Sequence, residues 1–449
     1  MCASILLQNT NKNCNYFQSI LGVFYLAVLV PKKVIEMLAH AGLSVSLTSI
    51  NKIITALSAE ATRKLHNSVR TLTMALAYDN FNMAFQVVEP TVEHHSTFIS
   101  ATSATAVPIY GLVNKEDLRC LWQLWSRDPN NPEAIDPVII DLGHLDSFHS
   151  SDTCCAPGEK LSPYMKQIAW HIWAILIRHG PSVFSKYTSQ LGEPVPINRI
   201  LLHKTEQVPC QAMKIKESTQ DGNIQVLENL LAQGGLGKPG NDGFMLKALV
   251  DLTEWILLVH GDLMTKEHID SIKATRKIED TPRRRFQYVV FIPGLFHYLI
   301  ACADVIWNTW VQPMATCEDP NSLVHHVNTL RSGDTKKFVS KPGFQMIHQV
   351  IQHDIWASML DCWRLVAHSQ NNEWMSLEAF GNSEPAWDVI VELSEEIASK
   401  YVASPTRISE LGDELPEDRD KIFKHQILRN RDELDYLELH DAMSMGDIG

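Results

Sequence analysis

The 449-residue sequence lacks the markers of several common classes of protein. Its nine cysteines form no CxxC pair and have no zinc-ligand spacing, and no Asn-x-Ser/Thr acceptor for N-glycosylation occurs. These absences favour reduced thiols and an intracellular location. The apolar run Ser19–Val30 has about 12 residues, too few to span a bilayer at a rise of about 1.5 Å per residue. The sequence therefore predicts no membrane partner.

Positive charge is also scarce. The chain has 39 Lys and Arg against 52 Asp and Glu, a net charge of -13, which argues against a surface that coats nucleic acid along its whole length. Any phosphate-binding surface must be local. One segment, KATRKIEDTPRRRF, has a suitable composition for it, and we predict nucleic-acid contacts from Lys273, Arg276, Lys277, Arg283, Arg284 and Arg285. An exposed helix end with ordinary solvated charges is the alternative interpretation.

What is present is the composition of a globular protein of two or three domains, with 45% apolar residues. Apolar spacing predicts a helical N-terminal region over 1–70 and three antiparallel strands over 71–111. A helical insertion is predicted over 112–250, a strand-helix-strand-helix segment over 251–320, and a helical C-terminal region over 321–449 that ends in mid-structure. The predicted fold class is α/β, a mixed sheet interrupted by a large helical insertion.

The segment 251–320 is the most informative. WILLVH and FQYVVFI are continuous apolar runs of strand length, typical of central strands covered on both faces, and a polar segment of helix length separates them. This order predicts a βαβ unit with parallel strands. Ligands gather at the C-terminal edge of such strands, and Asp262 directly follows the first strand there.

The helix predicted over Gly294–Val311 is apolar nearly all round, which predicts burial. His297, Asp304 and Asn308 fall on one stripe of it at 100° per residue. Buried polar groups need partners, so this stripe either belongs to an internal hydrogen-bond network or faces a polar cleft.

Several segments carry a resemblance to a known family. These are AYDNFNMAFQVVEPTVEHH, LLHKTEQVPCQAMKIKESTQDGNIQVLENLLAQGGLG, LLVHGDLMTKEHIDSIKATRKIEDTPRRRFQYVVFIPGLFHYLIACADVIW and RDELDYLELHDAMSMGDIG. Together they resemble a large, functionally uncharacterised fungal domain family whose members look like products of mobile elements. The resemblance covers nearly the whole chain.

The βαβ unit and the helix after it are similar to the second half of the ribonuclease-H-like core of Mutator-like transposases. That similarity implies a ribonuclease-H-like sheet that begins with a strand ending at Asp79. Asp79 and Asp262 would bind Mg²⁺ or Mn²⁺ for in-line attack on a DNA phosphodiester, with His297 and Asp304 in support. DNA would be the partner, with the nucleus as one option for the location.

Two features depart from that pattern, and a second hypothesis stays open. Such cores need a third acid from a later helix, for which Glu438, Asp441 and Asp447 are available, and their insertion usually comes later in the chain. In the alternative hypothesis the protein is a non-catalytic scaffold in which Asp262 caps the crossover helix, a common role for Asp.

Overall fold

The computed structural model describes residues 15–85, 97–134, 161–236, 252–311, 322–333, 342–404 and 420–447. Parts of the predicted strand region 71–111 and of the predicted insertion 112–250 lie outside these residues. The chain divides into two compact units. The sheet unit comprises residues 1–138 and 204–294, and the helical unit comprises 139–203 and 295–449. The prediction of a mixed α/β protein is confirmed.

The described part of the sheet unit begins with three helices, α1 (Tyr16–Ala27), α2 (Lys32–His40) and α3 (Leu47–Val69). Ser46 caps α3, because its side chain accepts the Ser49 amide hydrogen. The first half of α3 packs with α2 in a small apolar cluster around Ile35 and Ile50, and its second half joins the core against the sheet.

The sheet has five strands, β1 (Met74–Phe85), β2 (Thr97–Pro108), β3 (Val208–Pro209), β4 (Leu257–Gly261) and β5 (Val289–Pro293). Their order in space is β3-β2-β1-β4-β5. The pairs β1–β2 and β2–β3 are antiparallel, whereas β1–β4 and β4–β5 are parallel. The sheet is therefore mixed, with its antiparallel and parallel halves joined at β1.

The strand region differs from the prediction. The described part of 71–111 contains two strands rather than three, and the third strand, β3, comes about 100 residues after β2. β1 runs through the predicted break at Asp79, which pairs with Ser103 of β2. The polar pair Asp79–Asn80 does not end the strand because the exposed Asp79 side chain needs no burial there. The insertion after β2 also returns to the sheet unit at residue 204, well before the predicted end at 250.

Two helices of the sheet unit cover one face of the sheet, α6 (Gln220–Gly234) and α7 (Leu263–Arg276). The short α4 (Leu121–Trp125) lies earlier in the same unit. Leu76, Val259, Leu230 and Ile269 form part of the buried core between sheet and helices. The predicted βαβ unit is confirmed as β4-α7-β5, with Leu257 beside Val289 in parallel register. The C-terminal edge of β4, where Asp262 lies, is therefore also the N-terminal end of α7.

The helical unit contains α5 (Pro163–His179), α8 (Leu295–Trp310), α9 (Leu323–Leu330), α10 (Phe344–Gln370), α11 (Leu377–Asn382), α12 (Trp387–Tyr401) and α13 (Lys421–Met445). Its main core is formed by α5, α10 and α12, with Trp363 and Ile172 fully buried. No helix in the described ranges has the length and apolar character needed to cross a membrane.

The prediction that the helix over Gly294–Val311 is buried nearly all round was wrong. In α8 only one face is buried, through Leu299, Ala303, Ile306 and Trp307. Phe296 is 55% exposed and Val305 is 63% exposed on the rest of the surface. An apolar composition all round the helix did not lead to burial all round it. One face of α8 makes the contacts with the core of the helical unit, and apolar side chains on the other faces stay exposed.

Candidate carboxylate site

Asp79 and Asp262 lie just beyond the paired residues of the two parallel strands that join the halves of the sheet. The last recorded pair between β1 and β4 is Ala77 with His260. Asp79 and Asp262 each lie two residues beyond that pair in their own segment. Neighbouring strands are about 4.8 Å apart, so continuation of this register brings the two residues to adjacent positions.

Asp262 is the N-cap of α7. Its Oδ1 accepts the backbone N–H of Thr265 at 2.6 Å, and its backbone is extended, as expected for a cap. Thr265 itself is 2% exposed, so the bond forms at a covered position. The cap leaves Oδ2 without a hydrogen bond from the described residues, and this second oxygen can serve another role.

A third acid, Glu217, faces the same position. It lies between β3 and α6, is only 2% exposed, and its backbone N–H donates to Asn80 Oδ1 at 3.4 Å. Its Oε2 is buried and has no hydrogen-bond partner among the described residues. Sequence reasoning missed Glu217 and looked for the third acid near the C-terminus. The only local signal was its place two residues before Thr219, the N-cap of α6.

Polar contacts hold the Glu217 segment against β1. Asn223 is fully buried; its Oδ1 accepts the Tyr78 hydroxyl at 2.8 Å, and its Nδ2 donates to the carbonyl oxygens of Glu217 and Thr219. Gly222 is needed because a Cβ there would collide with the carbonyl oxygen of Lys216. These contacts tie the turn before α6 to the strand residue next to Asp79.

The three carboxylates form a region of excess negative charge. Burial, and after it the charges of Asp79 and Asp262, raise the pKa of Glu217 to about 7, while a contact with the Asn80 backbone lowers it in part. Burial also raises the pKa of Tyr78, and the charges of Glu217 and Asp262 contribute. Glu217 thus senses the charges of both aspartates, which a bound cation would offset.

The donor set suits a hard divalent cation. Magnesium prefers oxygen ligands and is commonly held by one or two carboxylates, with waters and substrate phosphates as its other ligands. Asp79 and Asp262 could provide two carboxylates, and Glu217 an orphaned buried oxygen beside them. Across the described ranges, no three His, Cys, Asp or Glu side chains already stand in an arrangement that could hold a metal ion. The site therefore fits a cation that two carboxylates share with water or phosphate.

The predicted cationic segment lies at the other edge of the sheet. α7 starts beside Asp262 and has 14 residues, so its C-terminal end is about 20 Å away, near the start of β5. Three of the six cations have structural contacts. Lys273 donates to the Val289 carbonyl oxygen at 2.5 Å, Arg276 lies over the Phe286 ring, and Arg285 lies over the Trp125 ring.

The other three cations of the segment are nearer the solvent. Lys277 and Arg284 are exposed, and Arg283 is partly exposed. Arg284 makes a long ion pair of 3.9 Å with Glu279. These three side chains could contact phosphate, but about 20 Å from the carboxylates rather than at them.

The remaining predicted site residues belong to the helical unit. His297 and Asp304 lie on α8, and both are half-buried. Of the proposed third acids, Glu438 contacts His171 and Gln167, and Asp447 accepts the backbone N–H groups of Ile197 and Asn198. Asp441 pairs with His440 at 3.2 Å. Glu438 and Asp447 thus have structural partners within their own unit.

Comparison with known proteins gives one match. No curated protein and no solved structure matches the chain. A family model described as a family of unknown function (DUF6589) matches residues 147–449. The match begins after Asp79 and includes Glu217 and Asp262. Because it covers more than half of the sequence, the chain belongs to this family of unknown function.

Proposed function

We propose that the sheet unit is a ribonuclease-H-like core that cleaves or joins DNA strands with the help of a divalent metal ion. The observation that carries this proposal is the strand arrangement together with its acids. Three antiparallel strands followed by two parallel ones, in the order β3-β2-β1-β4-β5, are the arrangement of such cores. The acidic residues Asp79, in β1, and Asp262, directly after β4, lie near the C-terminal end of β4.

The residues have distinct roles in this proposal. Asp79 and Asp262 would hold Mg²⁺ or Mn²⁺, and Asp262 can do so through Oδ2 while Oδ1 caps α7. The metal would supply Lewis-acid stabilisation of the phosphodiester and a lowered pKa for an attacking water or 3′-hydroxyl. Glu217, buried beside them, would orient the attacking group.

The cationic end of α7 would have a secondary role. Lys277, Arg283 and Arg284 are about 20 Å from the carboxylates, a distance that corresponds to roughly six base pairs of duplex DNA. They would hold flanking DNA rather than the scissile phosphate. A partner of this kind makes the nucleus the expected location.

The decisive experiment is a calorimetric titration of the full chain with Mn²⁺. We expect Asp79→Asn to weaken binding at least tenfold and to abolish Mn²⁺-dependent cleavage of a DNA duplex. Asp270→Asn is the matched control, since Asp270 is an exposed acid of α7 that pairs with Lys266. Equal Mn²⁺ affinity in the wild type, Asp79→Asn and Asp270→Asn would contradict the proposal.

One observation favours the second candidate function, a non-catalytic scaffold. Asp262 does cap α7, the role that the scaffold hypothesis gives it. Asn caps a helix about as well as Asp but is a poor ligand for Mg²⁺. Asp262→Asn should therefore leave the scaffold unaffected and weaken Mn²⁺ binding in the enzyme. Unchanged binding in this variant, with unchanged stability, would favour the scaffold.

A further inference from the structure

A second group of charged residues lies in the interior of the helical unit, where α9, α10 and α13 meet. Asp354 of α10 and both Arg429 and Glu433 of α13 are at most 1% exposed. His326 of α9 closes the group on its outer side and is 27% exposed. Burial of this many ionisable groups requires that their charges balance.

The contacts around Asp354 mark it as the ionised acid. Its Oδ1 is 2.5 Å from His326 Nδ1, and its Oδ2 is 3.2 Å from Arg429 Nε. Glu433 is farther from the guanidinium, with Oε1 at 3.9 Å from Arg429 Nε. Arg429 therefore neutralises the charge of Asp354 rather than that of Glu433. An ionised Glu433 would leave an excess negative charge in the buried interior.

The hydrogen bonds also indicate that Asp354 is ionised and that Glu433 is protonated. Neither oxygen of Glu433 has an N–H or O–H partner among the described residues, and Asp354 Oδ2 is also without a donor. Both carboxyl groups approach the same guanidinium nitrogen, with Asp354 Oδ2 at 3.2 Å and Glu433 Oε1 at 3.9 Å from Arg429 Nε, so these acceptor atoms share one small buried space. Two ionised carboxylates cannot bond to each other, whereas a carboxylic acid can donate to a carboxylate.

We propose that Asp354 and Glu433 hold a single proton between them, carried on Glu433, and that loss of this proton at alkaline pH loosens the packing of α13 against α10. The charged groups that face the pair are His326 from α9 and Arg429 and Asp432 from α13. From α5, Tyr164 and His171 contact other acids of α13, since Tyr164 bonds to Asp435 and His171 to Glu438.

The titration directions agree with this geometry. Burial raises the pKa of Glu433 well above its usual 4.5, the charge of Asp354 raises it further, and Arg429 offsets part of the effect. For Asp354, burial alone would raise the pKa, but the bond from His326 and the charge of Arg429 lower it. A group whose pKa is raised by folding stabilises the folded state below its unfolded pKa, and that stabilisation declines as the pH rises toward the folded value.

The test is the pH dependence of amide hydrogen exchange in the full chain, read from peptides of α10 and α13 and corrected for intrinsic exchange. From about pH 5.5 upward, one proton held only by the folded state increases the opening constant by up to about tenfold per pH unit. Glu433→Gln should remove that dependence, because its amide can donate to Asp354 without titrating. Glu392→Gln, an exposed glutamate of α12, is the matched control and should keep the wild-type slope.

A second measurement does not depend on folding of the Glu433 variant. Glutamate carboxyl carbons can be titrated by NMR in Glu217→Gln protein, so that the other glutamate with a raised pKa does not interfere. We expect one remaining glutamate to stay protonated at pH 7. Ionisation of every glutamate by that pH, or an unchanged exchange slope in Glu433→Gln, would overturn the shared proton.

Discussion

Each of the two units of this protein brings acidic side chains together. Their negative charge is unbalanced in the sheet unit and largely neutralised in the helical unit. In the sheet unit, the negative charges of Asp79 and Asp262 both oppose ionisation of Glu217. In the helical unit, Asp354 has an arginine and a histidine within hydrogen-bonding range. The first group has excess negative charge near solvent, whereas the second is close to neutral and buried.

This difference separates a candidate site from a structural network. A buried group with balanced charges stabilises the packing of helices and needs nothing from outside the protein. A group of acids with no cation beside it costs free energy unless a ligand supplies positive charge. The sheet unit should therefore respond to divalent metal, and the helical unit to substitution and pH.

The largest effect on stability is expected for a substitution that removes the positive charge of the buried Arg429. Arg429→Met removes the buried cation and leaves Asp354 with His326 as its remaining partner, which should lower the free energy of unfolding by about 3–5 kcal/mol. Urea denaturation followed by tryptophan fluorescence measures it. The exposed Arg364, paired with Asp361, provides the control Arg364→Met. A loss below about 1 kcal/mol would show that the buried ion pair contributes little.

A smaller effect concerns Asp435, another covered acid of the helical unit, whose Oδ1 accepts the Tyr164 hydroxyl at 2.7 Å. Burial raises its pKa from 3.8 to about 6. The folded state thus holds a proton that the unfolded state releases, and stability should fall by about 2 kcal/mol as the pH rises from about 4 to about 6. Asp435→Asn should flatten that part of the stability profile. The same fall in the variant would assign it to other groups.

In the sheet unit, substitution of Asp262 separates capping from metal binding. Asp262→Ala removes the acceptor for the Thr265 amide and should cost about 1 kcal/mol of stability, whereas Asp262→Asn should cost a few tenths. Thermal denaturation without added metal measures both variants. Equal losses in the two would mean that charge, and not the cap, stabilises the start of α7.

The smallest effect on stability is expected for Asp79→Asn. Asp79 is exposed and repels Glu217, so its neutralisation should change the free energy of unfolding by at most about 0.5 kcal/mol, in the stabilising direction. Denaturation in metal-free buffer provides the measurement. A marked loss of stability would identify Asp79 as a structural residue and weaken its proposed role as a ligand.

The sequence predicted the parallel half of the sheet because each of its elements has a local pattern. The continuous apolar runs of β4 and β5 and the polar segment between them were sufficient for the βαβ unit and for the position of Asp262. β3 could not be predicted in the same way. It has two residues, Val208 and Pro209, and is a strand only because the edge of β2 provides its partner.

The candidate site was predictable to the same degree. Asp262 was identified from its position after an apolar run and Asp79 from the resemblance to ribonuclease-H-like cores, whereas Glu217 has no pattern of its own. Its role depends on Asn223 and Tyr78, which hold its backbone against β1 although Tyr78 and Glu217 are 139 positions apart in the chain. The nucleic-acid contacts of the cationic segment stay a prediction from composition, and Lys273, Arg276 and Arg285 form contacts within the fold.

The sequence by itself determined the α/β class, the parallel strands with their crossover helix, and the carboxylate that begins that helix. These features depend on residue spacing within one segment, where hydrophobic period and capping act locally. Only the tertiary structure decided which acids meet and which of them are neutralised. Those outcomes depend on contacts between segments far apart in the chain, because the energy of a charge is set by what packing brings beside it.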